Sequence, residues 1–257
     1  MNEIQRYFGQ HAQDYAQSAR HARGSDLARL LDALHLEVGQ RALDIATGPG
    51  HVAFQLAERG LEVTGADLTP EMLQVAQASE RERTLAHPIS WVAADAASLP
   101  CEDSAFDVVV CRRAAHHFPN LPRVLQECRR VLASGGRLGI SDMTAPVANL
   151  DALNHLERLR DPSHQAAQSA DQWVSYLLDA GFGLEWLEVT VEPMTREEWL
   201  SPVHPGSPEG QAAFQYMAGW PAPTRAALLP DGTFLKYRIL VTAVTRSGVS
   251  HLEGKPL

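Results

Sequence analysis

The densest chemistry in the chain lies in Cys111-Arg-Arg-Ala-Ala-His-His-Phe118. Arg112 and Arg113 carry guanidinium forks that match a carboxylate with two parallel hydrogen bonds. His116 and His117 are adjacent, and an extended backbone turns neighbouring side chains opposite ways. One is therefore expected to serve as a base near neutral pH and the other to hold structure. Cys111 reads either as a thiol nucleophile beside His116 or, more simply, as a small apolar residue at a ligand pocket. Three acids complete the set. Asp67 ends an apolar run beside Leu68, where a carboxylate would accept both hydroxyls of a ribose while the leucine packs on a purine. Asp95 and Ala96 offer an acceptor to an exocyclic amine and a backbone N–H to a ring nitrogen. Asp44 lies within an apolar segment, where a carboxylate is costly to bury without partners. Backbone N–H groups of the following turn, or a ligand ammonium, would satisfy it.

These residues meet only if they end the strands of one sheet. Residues 42–46 read as a short buried strand, closed by Thr47-Gly48-Pro49-Gly50, and residues 51–59 carry apolar positions at helical spacing. The turn lacks the third glycine of a dinucleotide site and the lysine of a P-loop, which favours a nucleoside ligand over a dinucleotide, with an ordinary tight turn as the alternative. Strands are expected at 62–66, 89–93, 106–111 and 137–141, alternating with helices at 71–83 and 121–132, the latter ended by Gly135-Gly136. That alternation predicts βαβ units, a mainly parallel sheet and helices on both faces. Ligands in such sheets bind beyond the C-terminal strand ends. Thr47 to His51, Asp67-Leu68, Asp95-Ala96, Cys111 to His117 and Asp142-Met143 all fall there.

Further along, helices are expected at 146–161, at 170–180 behind a Ser169 cap, at 195–200 behind a Thr195/Glu198 capping box, and at 209–220. Strands are expected at 184–191 and 234–244. The stripe Phe8, Ala12, Tyr15 and Ala19 predicts an amphipathic helix within residues 1–24, read as a lid with Tyr15 toward the ligand or as plain surface packing. The proline-rich stretch 193–233 reads as a cap-like insertion before the last strand, inside a single domain spanning 1–257. His155, Arg158, Arg160, Asp161 and His164 form a polar stretch suited to solvent or to a substrate pocket.

Composition narrows the function. A formal charge of −9 leaves no cationic surplus for phosphate backbones, so neither nucleic acid nor an anionic membrane is an expected partner. Three scattered cysteines and a polar start without a signal-type apolar core point to a reducing cytoplasm and no structural disulfide. Adjacent histidines lack the spacing of a zinc helix, so no metal is expected, and no Gly-x-Ser-x-Gly elbow offers a hydrolase nucleophile.

In order and spacing, Asp44-Ile-Ala-Thr-Gly-Pro-Gly50, Asp67, Ala94 to Pro100, Phe106-Asp-Val108 and Arg130-Val-Leu-Ala-Ser-Gly-Gly136 resemble the motifs of class I S-adenosylmethionine-dependent methyltransferases. The flavour is that of the ubiquinone/menaquinone-biosynthesis-like, Methyltransf_11-type branch. The resemblance implies an α/β, Rossmann-like sheet of seven mostly parallel strands with helices on both faces and an antiparallel last strand. It implies S-adenosyl-L-methionine as cofactor and S-adenosyl-L-homocysteine as product. Gly48 and Gly50 would approach the methionine part, with Arg112 near it; Asp67 would bind ribose and Asp95-Ala96 adenine. With Tyr15, Asp44, Ala46, Thr47, Leu68, Met72 and Cys111 these form the expected cofactor set. His117 and His116 form the expected catalytic pair. The missing third glycine is expected to reshape the pocket without abolishing binding. Methyl transfer to a small or medium-sized organic acceptor is the expected activity, and a homodimer is allowed. The alternatives are a non-methylating use of the same cofactor, a binding protein without turnover, or a dehydrogenase with an atypical glycine loop.

Overall fold

A computed structural model of the chain describes residues 3–17 and 24–245. The distal part of the expected lid, including Ala19, and the tail from Arg246 lie outside the described residues. Strands β1 (Arg41–Ile45), β2 (Glu62–Asp67), β3 (Ser90–Ala93), β4 (Phe106–Arg112) and β5 (Leu132–Thr144) are parallel. The last strand, β7 (Phe234–Thr245), runs antiparallel between β5 and β6 (Phe182–Met194). The sheet order is β3-β2-β1-β4-β5-β7-β6, the seven-stranded arrangement expected above. The chain leaves β1 toward β2 on one side and returns to β4 on the other. Their C-terminal ends therefore flank a crevice at the switch point of the sheet.

The helices are α1 (Glu3–Gln17), α2 (Ser25–Ala33), α3 (His51–Glu58), α4 (Pro70–Glu80), α5 (Leu121–Val131), α6 (Leu150–Arg160), α7 (Ala170–Asp179), α8 (Arg196–Leu200), α9 (Pro208–Ala218) and α10 (Ala222–Leu228). β1 and β4 read as near-continuous apolar runs because both sheet faces are covered. Side chains alternate between the faces. Leu43, Ile45, Val109 and Cys111 enter one core with Val124, Leu125 and Cys128 of α5 and Trp173 and Leu177 of α7. Ala42, Val108 and Val110 enter the other with Leu27, Leu30 and Leu31 of α2 and Val52, Ala53 and Leu56 of α3. A third core joins Leu153 and Leu156 of α6, Trp199 and Leu200 of α8, Met217 of α9, Leu228 of α10 and Phe234 at the start of β7.

Local chemistry explains several boundaries. Ser169 and Thr195 each close a capping box, with Gln172 and Glu198. Gly50 enters α3 with φ +89°, and a Cβ there would stand 2.8 Å from the Trp91 ring. Other boundaries moved. α5 passes directly into β5 at Leu132, already extended, so Gly135-Gly136 lies inside a strand rather than ending the helix. The α6 turn starts at Leu150, after a 3₁₀ turn over Val147–Asn149. α10 was not foreseen. Its prolines, Pro221 before the first turn and Pro223 within it, occupy positions where a missing N–H costs nothing.

Candidate active site

Above the C-terminal ends of β1, β2, β4 and β5 lies a cavity of about 750 Å³, within the usual range for small-molecule sites of about 300–1,000 Å³. Its first wall is the β1 turn. Ala46, with φ +53°, and Gly48, with φ +55°, bend the chain away from the strand. A left-handed alanine is a strained conformation that surrounding structure must impose. Thr47 N–H donates to Ala66 O at 3.0 Å, and Gly50 N–H closes the turn on Thr47 O.

Two acids brace that turn. Asp67 accepts Gly48 N–H on Oδ2 and Thr69 N–H on Oδ1, both at 2.8 Å. Burial raises its pKa, and these bonds, with the Thr69 hydroxyl and Leu68 N–H, oppose the rise. Asp44 is 1% exposed and accepts the Thr47 hydroxyl at 2.5 Å and Ala53 N–H at 3.1 Å. Its backbone donor thus comes from α3, not from the glycine turn. Burial pushes its carboxyl up to about 7 despite those bonds. An unfolded aspartate loses its proton near about 3.9. The folded state therefore binds the extra proton between those values, and this group's contribution to stability falls as pH rises from about 4 to 7.

Asp95, Ala96, Leu68 and Met72 also line the cavity. Asp95 is exposed and caps its own turn through Ala97 N–H at 2.8 Å. Helix α1 lies across this region. Gln5 Nε2 donates to Leu68 O at 3.0 Å, His51 Nε2 meets Tyr15 O at 3.1 Å, and Phe8 stands edge-on to the His117 ring at 4.9 Å. Tyr15 and Phe8 both face the cavity.

The β4 end changes the sequence reading most. Arg112 lines the cavity, but its Nε and Nη2 grip Asp26 at 2.8 Å each, and Arg113 Nη2 adds a bond to the same carboxylate at 2.7 Å. The forks expected to bind a ligand carboxylate hold a protein one. Cys111 is corrected as well: strand alternation turns it into the core beside Cys128, away from the cavity. There burial pushes the thiol well above its usual range, which removes it as a nucleophile. Gly50 also lies behind the cavity wall, and its contribution is the entry to α3.

Both histidines line the cavity. His116 Nδ1 lies 2.5 Å from Asp142 Oδ1, and its backbone N–H donates to Asp142 Oδ2 at 2.9 Å. Although Asp142 is buried, His116 holds its carboxyl below the ordinary value. An ionised carboxylate only accepts, so Nδ1–H is the donor of this bond. His117 Nδ1 is 3.0 Å from Ser163 Oγ, whose proton goes to Asp161 at 2.5 Å. Burial, then His116, pulls the His117 pKa well down, so this ring is neutral. Among the described residues no group of acids, cysteines and histidines is arranged to hold a metal.

The far wall was largely missed from the sequence: Trp199, Lys236 and Arg238 join Arg160 there. Lys236 and Arg238, alternating in an otherwise apolar final strand, were the available signal. Of the polar stretch after β5, Arg160 reaches the cavity, Asp161 and His164 are buried, and His155 packs on Tyr216 instead.

A doubly wound sheet that bends sharply after β1 and ends β2 in a braced acid belongs to the class that binds a nucleoside cofactor at its switch point. The methyltransferase-domain family matches residues 43–140, from β1 into β5. The uncharacterized methyltransferase YcgJ of Bacillus subtilis is 31% identical over 195 residues, 75% of this chain and 77% of its own. Its crystal structure has a TM-score of 0.80 to this one at 27% identity, covering 87% of this chain and 99% of that one. The uncharacterized protein YafE of Escherichia coli is 30% identical over 76% of this chain and 95% of its own. A demethylmenaquinone methyltransferase of Thermus thermophilus is 39% identical over 128 residues, 48% of this chain and 57% of its own. The chain belongs to the methyltransferase-domain family and is a class I S-adenosylmethionine-dependent methyltransferase. Among the described residues no helix is long and apolar enough to cross a membrane.

Proposed function

We propose that this enzyme methylates a small organic acceptor carrying an ionisable O–H, N–H or activated C–H, with His116 as the base that deprotonates it. The observation that carries the reading is the His116–Asp142 pair, which fixes the imidazole by Nδ1 and leaves Nε2 for the acceptor. For His117, the other member of the expected catalytic pair, the depressed pKa and the bond to Ser163 favour a neutral, positioning part instead. A phenolic or enolic acceptor, as in the ubiquinone/menaquinone-biosynthesis-like branch, is the finer reading. It draws support from the 39% identity over 128 residues to the demethylmenaquinone methyltransferase.

The residues present fit the cofactor. Asp67 lines the cavity at the β2 end where a ribose diol would be held, Leu68 and Met72 supply apolar walls, and Asp95-Ala96 stands at the next strand end. Asp44, kept near neutrality by burial, is suited to a ligand ammonium. Tyr15 and Phe8 on α1 would close the site as a lid, and residues 193–233 would cap the acceptor end. When bound, S-adenosylmethionine supplies a sulfonium methyl already activated for transfer. The chain then has three tasks: to hold the acceptor in line, to take its proton at His116 Nε2, and to exclude water.

Two outcomes are expected. His116→Ala should lower kcat by about 10²–10⁴, the usual worth of a positioned base, while S-adenosylhomocysteine affinity stays within about twofold of wild type. Unchanged kcat with any acceptor that is turned over would remove the base assignment. A ligand ammonium beside Asp44 should draw off its proton, so binding S-adenosylhomocysteine at pH 6 should release roughly one proton. Calorimetry in buffers of different ionisation enthalpy reads this directly, and a zero slope would take Asp44 away from the ammonium.

A further inference from the structure

The cavity is electrically divided. Asp44, Asp67 and Asp95 lie at its β1–β3 end, whereas Arg113, Arg160, Lys236 and Arg238 line the end formed by β4, α6 and β7. Lys236 and Arg238 are two apart on β7 and share one face of the strand. The acids at this end are already engaged. Glu157 accepts Arg160 at 2.6 Å and the Trp199 indole N–H at 2.9 Å. Asp26 holds Arg112 and Arg113, accepts the Ser141 hydroxyl at 2.8 Å, and lies 3.9 Å from Arg238. Asp142 and Asp161 serve the two histidines. Glu192 is opposite Lys236 in the β6–β7 ladder, and its charge acts on Arg238. Asp14 and Glu198 also line the cavity but are exposed.

Lys236 is the residue this arrangement leaves over. It lines the cavity and, among the described residues, its ammonium has no hydrogen-bond or ion-pair partner. Burial lowers its ammonium to about 7, Glu157 opposing and Arg160, Arg238 and Arg113 reinforcing. Arg112, Arg113, Arg160 and Arg238 line this end with the buried carboxylates Asp26, Asp142, Glu157 and Asp161 around them, and Lys236 has none of these acids as an ion-pair partner. A bound anion would pair with the Lys236 ammonium and favour its protonated form. The nearby walls are apolar: Trp199, Phe8, Phe118 and Met143 line the same cavity.

We propose that this end recognises an anionic acceptor, a small organic acid whose single carboxylate pairs with Lys236 and Arg238 while its apolar body lies along Trp199. The proposal rests on the methyltransferase reading and names the substrate class for that same site. With Lys236 as the single unpartnered ammonium, a carboxylate monoanion suits this end better than a phosphate ester, and the depressed ammonium would regain its proton as the acid binds.

The test uses the full chain saturated with S-adenosylhomocysteine, whose affinity is measured first. Calorimetric or ligand-observed NMR titration with 4-hydroxybenzoate, 4-hydroxybenzamide and phenyl phosphate follows. The acid is expected to bind at least tenfold more tightly than the isosteric amide. Lys236→Gln should abolish most of that preference and Lys236→Arg should restore it, with S-adenosylhomocysteine affinity unchanged in both variants. Equal affinity of acid and amide in the wild-type chain overturns the proposal without any variant. So does a preference that survives Lys236→Gln, and tighter binding of phenyl phosphate overturns the monoanion assignment. If S-adenosylhomocysteine itself does not bind, the cofactor reading falls and this subsite with it; if it binds and the acid shows no advantage, only the subsite falls.

Discussion

Asp26→Ala is expected to cost about 3–5 kcal/mol of folding stability, the usual penalty for removing one partner of a buried charge cluster. The Asp26 side chain is 4% exposed and holds Arg112 through two bonds, Arg113 through one and the Ser141 hydroxyl through a fourth. Removing it leaves two buried guanidinium groups without the acid they share. That is a large part of a total stability of roughly 5–15 kcal/mol. The pH dependence follows from the same contacts. Burial raises the Asp26 carboxyl, but the Arg112 fork and the charges of Arg113 and Arg238 outweigh it and hold the pKa far below the ordinary value. As pH falls through about 4, the unfolded chain takes up this proton while the folded chain does not. The stabilisation is therefore complete above about pH 5 and is lost progressively below about pH 4. Urea denaturation at pH 7 and pH 4 checks both parts. A midpoint unmoved by the substitution would show that the arginines are held by something else.

Asp67→Ala should weaken S-adenosylhomocysteine binding about a hundredfold, or roughly 2.8 kcal/mol at 1.4 kcal/mol per decade. Two effects add. A ribose diol would lose a charged acceptor, and a hydrogen bond to a charged group contributes about 1.5–3 kcal/mol. The glycine turn would also lose the bond from Gly48 N–H that fixes it against β2. Asp67→Asn, which keeps one acceptor oxygen and the side-chain shape, should recover part of the loss. Calorimetric affinity within threefold of wild type in the alanine variant would end the ribose assignment. A large loss with an unchanged thermal melt would locate the effect in binding, not in folding.

Much of this architecture is encoded locally. The apolar runs of β1 and β4, the turn chemistry of Thr47 to Gly50 and the capping boxes at Ser169 and Thr195 are short-range patterns. Each declares its element within about ten residues, because backbone geometry and side-chain period act at that distance. The strand-end acids and the His116-His117 pair were legible for the same reason: once the strands are placed, parallel topology gathers their ends. Their roles were not legible. Cys111 and Arg112 are neighbours in sequence, yet the alternation of β4 sends one into the core under α5 and the other toward α2.

What tertiary structure alone decided is the pairing of charges. Asp26 and Arg112 are 86 residues apart, Glu157 and Trp199 are 42 apart, and Lys236 reaches the cavity from the last strand. No local pattern announces such partners, since a charge is satisfied by whichever group the topology brings within about 4 Å, however far along the chain it lies. The amino-acid order determined that a nucleoside-binding sheet would form and where its strands would end. The packing of α2, α6 and β7 around those ends determined which of the described cations are paired with buried acids and brought Lys236 to the cavity without such a partner.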